Sequence, residues 1–179
     1  EAIGEGLWYL PNLRVLDLSG NSIGSKGTAG EEAIGQGLRY LPHLTSLNLG
    51  YKSNMGNEIG FRGTAGAEAI GQGLQYLSQL TSLDLSSNQI GATGMNGTIA
   101  LAEGLKHTPN LTYLDLSGNH IGTTGVNGTI ALAEGIGSLQ HLRTLYLENN
   151  NFGTHGSEGV KALFENIPFG QLCDFSIGE

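Results

Sequence analysis

The chain is poor in cysteine, in charge and in long apolar runs, and each shortage removes a class of protein. A single cysteine, Cys173, rules out an intramolecular disulfide. Extracellular arrays often close their ends with cysteine clusters, so a reducing, cytoplasmic setting is expected. Charged residues make up 13% of the chain, with 8 basic against 16 acidic side chains and a net charge of -8. A phosphate-backbone binder normally carries a basic stripe, so nucleic acid is not an expected partner. An acidic surface instead favours a protein partner with a basic one. No apolar run approaches the ~18 residues of a membrane helix, and no basic-then-apolar leader opens the sequence. The five histidines (His43, His107, His120, His141, His155) show no H-x-x-x-H or Cys–His spacing, so no metal and no cofactor are expected. No G-x-S-x-G elbow appears among the many serines, and the chain is not expected to be an enzyme.

What the sequence does have is a repeat. The phrase L-x-x-L-x-L-x-x-N starts at Leu13, Leu44, Leu80, Leu111 and Leu142, and a degenerate copy starts at Leu172. A fixed period near 31 residues means a stacked solenoid in which each unit buries its apolar face against its neighbours. We divide the chain into a half repeat 1–12, repeats 13–43, 44–79, 80–110, 111–141 and 142–171, and a terminal strand 172–179. With no strand before Glu1 and no helix after Glu179, the chain is expected to be a segment of a longer protein.

Within a repeat, alternation at Leu83 and Leu85 predicts a short strand, with Ser82 and Asp84 on its other face. An asparagine then turns the chain. Its amide both donates and accepts, so it can satisfy backbone groups in a tight buried turn. Asn21, Asn57, Asn88, Asn119 and Asn150 are expected to form a structural ladder. The string I-G-x-x-G-x-x-G follows in every repeat, with Phe152 replacing isoleucine in the last. A spaced-glycine string can cradle phosphate, but this one lacks a Lys-Ser or Lys-Thr pair and recurs with the repeat. It is read as left-handed turns or close approach between units. The second half has helical spacing, as in Ala100, Leu101, Leu105 and Thr108, with Thr98 and Thr129 near the expected caps. Glycines inside these helices (Gly37, Gly73, Gly104, Gly135) each cost about 1 kcal/mol against alanine. Only packing in the stack offsets that cost, so a lone repeat is expected to be unfolded.

This unit, L-x-x-L-x-L-x-x-N-x-I-G-x-x-G followed by an alanine- and leucine-bearing helix, resembles leucine-rich repeats, and within them the ribonuclease-inhibitor type. The resemblance implies an α/β solenoid, right-handed and curved, with a parallel sheet on the concave face and helices on the convex one. It also implies a non-catalytic protein-interaction scaffold. The same repeat type occurs in immune-receptor arrays, in effectors of intracellular bacteria that act in a host cytosol, and in the Ran GTPase activator. A regulator of a small GTPase is therefore the alternative function, and a purely architectural segment the third.

Candidate contact residues follow from where the repeat varies. Between Leu44 and Leu80 the spacing grows to 36, and the excess falls in 50–56, which brings Tyr51, Lys52 and Met55 to the concave rim. Register places Asp84 beside Asp115 and Tyr113 beside Tyr146 on neighbouring strands, with Glu148 just beyond. These eight residues are the expected partner-binding surface of a monomer. A carboxylate pair suits acid–base chemistry or a cation. No histidine or third carboxylate shares its layer, so Asp84 and Asp115 are read as charges in water on a polar strand face. Tyr9, Tyr40 and Tyr76 share one helix-end position and are expected to stack between helices.

Overall fold

The computed structural model describes residues 2–51 and 56–178. Six strands, β1 (Val15–Asp17), β2 (Ser46–Asn48), β3 (Ser82–Asp84), β4 (Tyr113–Asp115), β5 (Thr144–Tyr146) and β6 (Asp174–Ser176), form one parallel sheet in sequence order. The helices α1 (Ala2–Gly6), α2 (Ala29–Gly37), α3 (Ala65–Leu74), α4 (Asn96–Leu105), α5 (Val126–Gly137) and α6 (Glu158–Asn166) alternate with them. The sheet is open and does not close into a barrel. Register pairs Val15, Ser46, Ser82, Tyr113, Thr144 and Asp174 across the strands, and Asp17, Asn48, Asp84, Asp115, Tyr146 and Ser176 two residues on. This is the alignment the leucine phrase predicts.

Each central strand residue points inward, and Leu47, Leu83, Leu114 and Leu145 are wholly buried. With the flanking leucines, Leu7 and one face of each of α2 to α6 they make a single apolar core running the length of the stack. The strands are three residues long because the pattern offers each repeat only that much alternation before the asparagine turn.

The asparagine ladder forms as expected. Oδ1 of Asn57 accepts the Asn21 amide at 3.0 Å, Oδ1 of Asn88 that of Asn57 at 2.9 Å, and Oδ1 of Asn119 that of Asn88 at 3.1 Å. From Asn57 on, each Nδ2 donates to a leucine carbonyl of its own repeat and to one of the repeat before, as Asn119 does to Leu116 and Leu85. Asn21, at the open end, is exposed and takes no bond on its Oδ1. The residue after each ladder asparagine (Ser22, Glu58, Gln89, His120, Asn151) adopts positive φ, a left-handed step that the sequence does not mark with glycine.

The glycine string divides its work between the two expected roles. Gly91 approaches the next repeat so closely that a Cβ there would lie 2.5 Å from the Ile121 Cα, and one on Gly97 would lie 2.6 Å from the Ala67 Cβ of the repeat before. The middle glycine supplies a positive-φ turn in four repeats, with φ of 142°, 134°, 133° and 97° at Gly27, Gly63, Gly125 and Gly156, but not at Gly94. The helical glycines also have a contact reason. A Cβ on Gly73 would lie 2.6 Å from the Gly35 carbonyl oxygen, so the helices pack backbone to backbone.

Two local expectations are corrected. Thr98 and Thr129 are not caps; both lie inside the first turn of their helices, fully buried, with no partner for Oγ1. The helix starts earlier, at Asn96 and Val126, because the backbone turn at the glycine string already sets the entry. Tyr40 packs against Trp8, with ring centroids 4.9 Å apart, and not against its register mate Tyr9, which is 82% exposed.

Candidate functional site

The face of the sheet turned away from the helices gathers most of the expected residues. Asp84 and Asp115 are register neighbours on β3 and β4, and Asp115 is in register with Tyr146 on β5. Tyr113 meets Tyr146 edge to face, with centroids 5.9 Å apart. The geometry follows from the pleat. Tyr113 stands before its central leucine and Tyr146 after, so the pair crosses the strands diagonally.

The aspartates are held, not free to swing. In the repeated D-L-S, Oδ1 of Asp84 accepts the Ser86 amide at 2.9 Å and the Ser86 hydroxyl at 2.7 Å. Oδ1 of Asp115 accepts the Ser117 amide at 3.0 Å and the Ser117 hydroxyl. Asp17 likewise takes the Ser19 amide, which holds its carboxyl below the usual range. Oδ2 of Asp115 is reached only by a long bond from the Tyr113 hydroxyl at 3.4 Å. One oxygen of each carboxylate is spent on its own turn, and the other points at the face.

The picture of charges lying in water needs correction at β4. Asp115 is half-buried, and the loss of water raises its pKa against the lowering effect of its serine bonds; Asp84 and Glu148 add to the rise. Tyr113 is also half-buried, and burial followed by the neighbouring Asp115 and Asp84 charges pushes its hydroxyl well above the normal phenol range. At the C-terminal side, the Tyr146 hydroxyl donates to Asp174, which raises its pKa, and the Ser176 hydroxyl donates to Glu148. A chain of acids and hydroxyls therefore runs from β3 to β6. Among the described residues the ion pairs are Lys106–Glu103 and Lys161–Glu165, both on helices, so no described cation neutralises this face.

Tyr51 lies apart from the tyrosine pair. Its amide donates to the Ser86 carbonyl at 3.2 Å, while its ring covers Gly20 of the first repeat, whose Cβ would sit 2.8 Å from the ring. It joins the face at the rim, through Ser86 and Asp84, rather than converging with Tyr113. Lys52 and Met55 lie outside the described residues. Sequence reasoning missed the anchoring serines Ser86, Ser117 and Ser176, although the recurring D-L-S was a visible signal for the first two. It also left Asp174 out of the site, although the register placed that residue on the same face.

A second recess lies on the helical side, between α1 and α2, walled by Trp8, Tyr9, Gln36, Arg39 and Tyr40. Arg39 lies 5.9 Å over the Tyr40 ring there, so the recess is already braced by its own side chains. It shares no residue with the strand face. No described helix is long and apolar enough to cross a membrane.

A family model described as Leucine Rich repeat matches residues 9–28, 76–96 and 107–127, and a second, Leucine Rich Repeat, matches 141–163. Each match spans a strand, its ladder asparagine and the glycine turn that follows. No curated protein matches the chain. Repeat, sheet and matches agree that this chain is a leucine-rich repeat α/β solenoid, built of units that generally mediate protein–protein interaction.

Proposed function

We propose that the chain is a non-catalytic scaffold that binds a protein partner on the open strand face, with the 50–56 loop at its rim. The observation that carries this reading is charge. The face holds Asp17, Asp84, Asp115, Glu148 and Asp174, and its strand positions hold no lysine or arginine. The partner therefore presents a basic surface. Tyr113 and Tyr146 supply rigid contact area with polar tips, the residue type that most often carries binding energy. The anchored aspartates lose little freedom on binding, which favours specific over diffuse attraction. We place the repeats with the ribonuclease-inhibitor type because each full repeat pairs one strand with one helix. We further place the protein in the cytoplasm, as a monomer. The GTPase-regulator reading rests on likeness of fold alone.

The test is affinity capture from eukaryotic lysate with the native chain beside the Tyr51→Ala/Tyr113→Ala/Tyr146→Ala variant, read by quantitative mass spectrometry. A protein held by the native chain and lost by the variant, with unchanged circular dichroism, is the expected result. Equal retention by both would remove the face from consideration.

A further inference from the structure

The third glycine of each string is followed by a small residue: Ala67, Thr98, Thr129 and Val160 in the second to fifth repeats. In the first repeat that position is Glu31. Glu31 is 1% exposed, and neither carboxyl oxygen has a hydrogen-bond partner. Its surroundings are backbone. A Cβ on Gly24 would lie 3.0 Å from Glu31 Cδ and 2.6 Å from the Glu58 carbonyl oxygen. One on Gly66 would lie 3.1 Å from Glu31 Oε1 and 2.8 Å from the Ile59 carbonyl oxygen. The carboxyl is thus lodged in the seam between the first repeat's glycine turn, the second repeat's turn and the first turn of α3.

Carbonyl oxygens only accept. A carboxylic acid can donate its O–H to one of them, whereas a carboxylate faces their lone pairs with only its own backbone amide to set against them. The charged neighbours do not help the anion. On its own helix the neighbour is Glu32, in the second repeat's turn it is Glu58, and in α3 it is Glu68. Of the flanking cations, Lys26 is exposed. Arg62 donates to the Ser25 carbonyl at 3.0 Å and lies 5.2 Å over the Phe61 ring.

We propose that Glu31 is a pH-sensitive joint between the first and second repeats, closed while its carboxyl holds a proton and loosened when the proton leaves. Burial raises the Glu31 pKa against the lowering effect of its own backbone amide, and the Glu32 and Glu58 charges add to the rise. The folded value lies above the unfolded one. The stability this acid contributes is therefore complete below the ordinary glutamate range, and it is lost as pH rises through the folded value. What loosens is defined by the seam: the Gly24 amide to the Asn57 carbonyl at 2.7 Å, the Asn21 amide to Asn57 Oδ1, and the seat of the Tyr51 ring on Gly20. The joint thereby couples pH to the rim of the strand face, because Tyr51 loses its platform when the first repeat lifts.

Hydrogen exchange by mass spectrometry on the whole chain tests this, from about pH 3.5, below the ordinary glutamate range, to about pH 8, with rates corrected for intrinsic catalysis. In the native protein, protection over residues 13–30 should fall relative to residues 80–122, by about tenfold for each unit by which the folded pKa exceeds the unfolded one. Glu31→Ala, which installs the residue the second repeat already uses, and Glu31→Gln should both be flat. An equal fall in Glu31→Ala, or no fall in the native chain, overturns the proposal. A carboxyl carbon NMR titration of native Glu31 decides the matter if either variant fails to fold, and an ordinary glutamate value overturns it.

Discussion

Removing one rung of the asparagine ladder should cost far more in the middle of the stack than at its end, and the bonds say how much. In Asn119→Ala, the amides of Asn88 and Ile90 lose the Oδ1 that accepts them at 3.1 and 3.3 Å. Both are buried and neither has another acceptor. The carbonyls on the donor side fare better. Leu85 still receives Asn88 Nδ2 at 3.0 Å, and Leu116 still receives Asn150 Nδ2 at 2.8 Å. Ser117 keeps the Ser87 amide at 2.8 Å. The damage is thus two orphaned donors, at about 1–3 kcal/mol each, or about 2–6 kcal/mol in all. Asn21→Ala removes only bonds to the Leu18 and Ser19 carbonyls in an exposed turn, where water replaces them, and should cost about 0.5 kcal/mol.

Urea denaturation followed by circular dichroism separates the two. At a slope of about 2 kcal/mol per molar, Asn119→Ala should lower the midpoint by about 1–3 M and Asn21→Ala by about 0.25 M. Asn119→Asp adds a control. It keeps an acceptor for the two amides but turns a second oxygen toward the Leu85 and Leu116 carbonyls, so it too should be clearly destabilised. Equal midpoints for Asn119→Ala and Asn21→Ala would mean that the ladder is decoration on a fold held by leucine alone.

Two further outcomes follow from the packing. Gly73→Ala should destabilise by about 1–2 kcal/mol although alanine is the better helix former, because its Cβ would press on the Gly35 carbonyl and on Leu38; Gly6→Ala, with nothing within 4 Å, should stabilise by about 0.5–1 kcal/mol, both read from thermal melts. A peptide of residues 80–110 should show a coil spectrum, since the leucines of that repeat are buried only by its neighbours, and a helical spectrum would refute the stacking argument.

The fold was legible because the leucine phrase carries both its period and its strand register. Once Leu83 and Leu114 align, the open-face residues align with them, and Asp84 beside Asp115 follows. Less was legible where backbone conformation is set by neighbours. The left-handed residue after each ladder asparagine is serine, glutamate, glutamine, histidine or asparagine, with no shared chemistry to announce it. The helix entries were misplaced at Thr98 and Thr129 for the same reason: the preceding turn, not a side-chain cap, starts the helix. Burial on the strand face was missed because it depends on which ring lies across which carboxylate. Tyr113 and Tyr146 sit one layer apart, and only the pleat and the strand spacing together bring their edges into contact.

The contrast between the third and fourth repeats bears on the proposal that this face is the interaction surface. The two share N-G-T-I-A-L-A-E-G without a change, at residues 96–104 and 127–135. Over the strand segments 80–86 and 111–117 they differ at one position, Ser82 against Tyr113. That position points away from the core, so the leucine packing tolerates either residue and stability does not select between them. The fifth repeat then places Tyr146 where the third and fourth have aspartate. Two tyrosines in two different layers of adjacent strands meet edge to face beside the half-buried Asp115. Copying alone would have produced a uniform column of serine and aspartate across these strands. Other departures lie in the turns and at the helix ends, such as Gln89 against His120 and Lys106 against Gly137, but those on the strands, Tyr113 and Tyr146, lie close together on the open face and support it as the proposed binding surface.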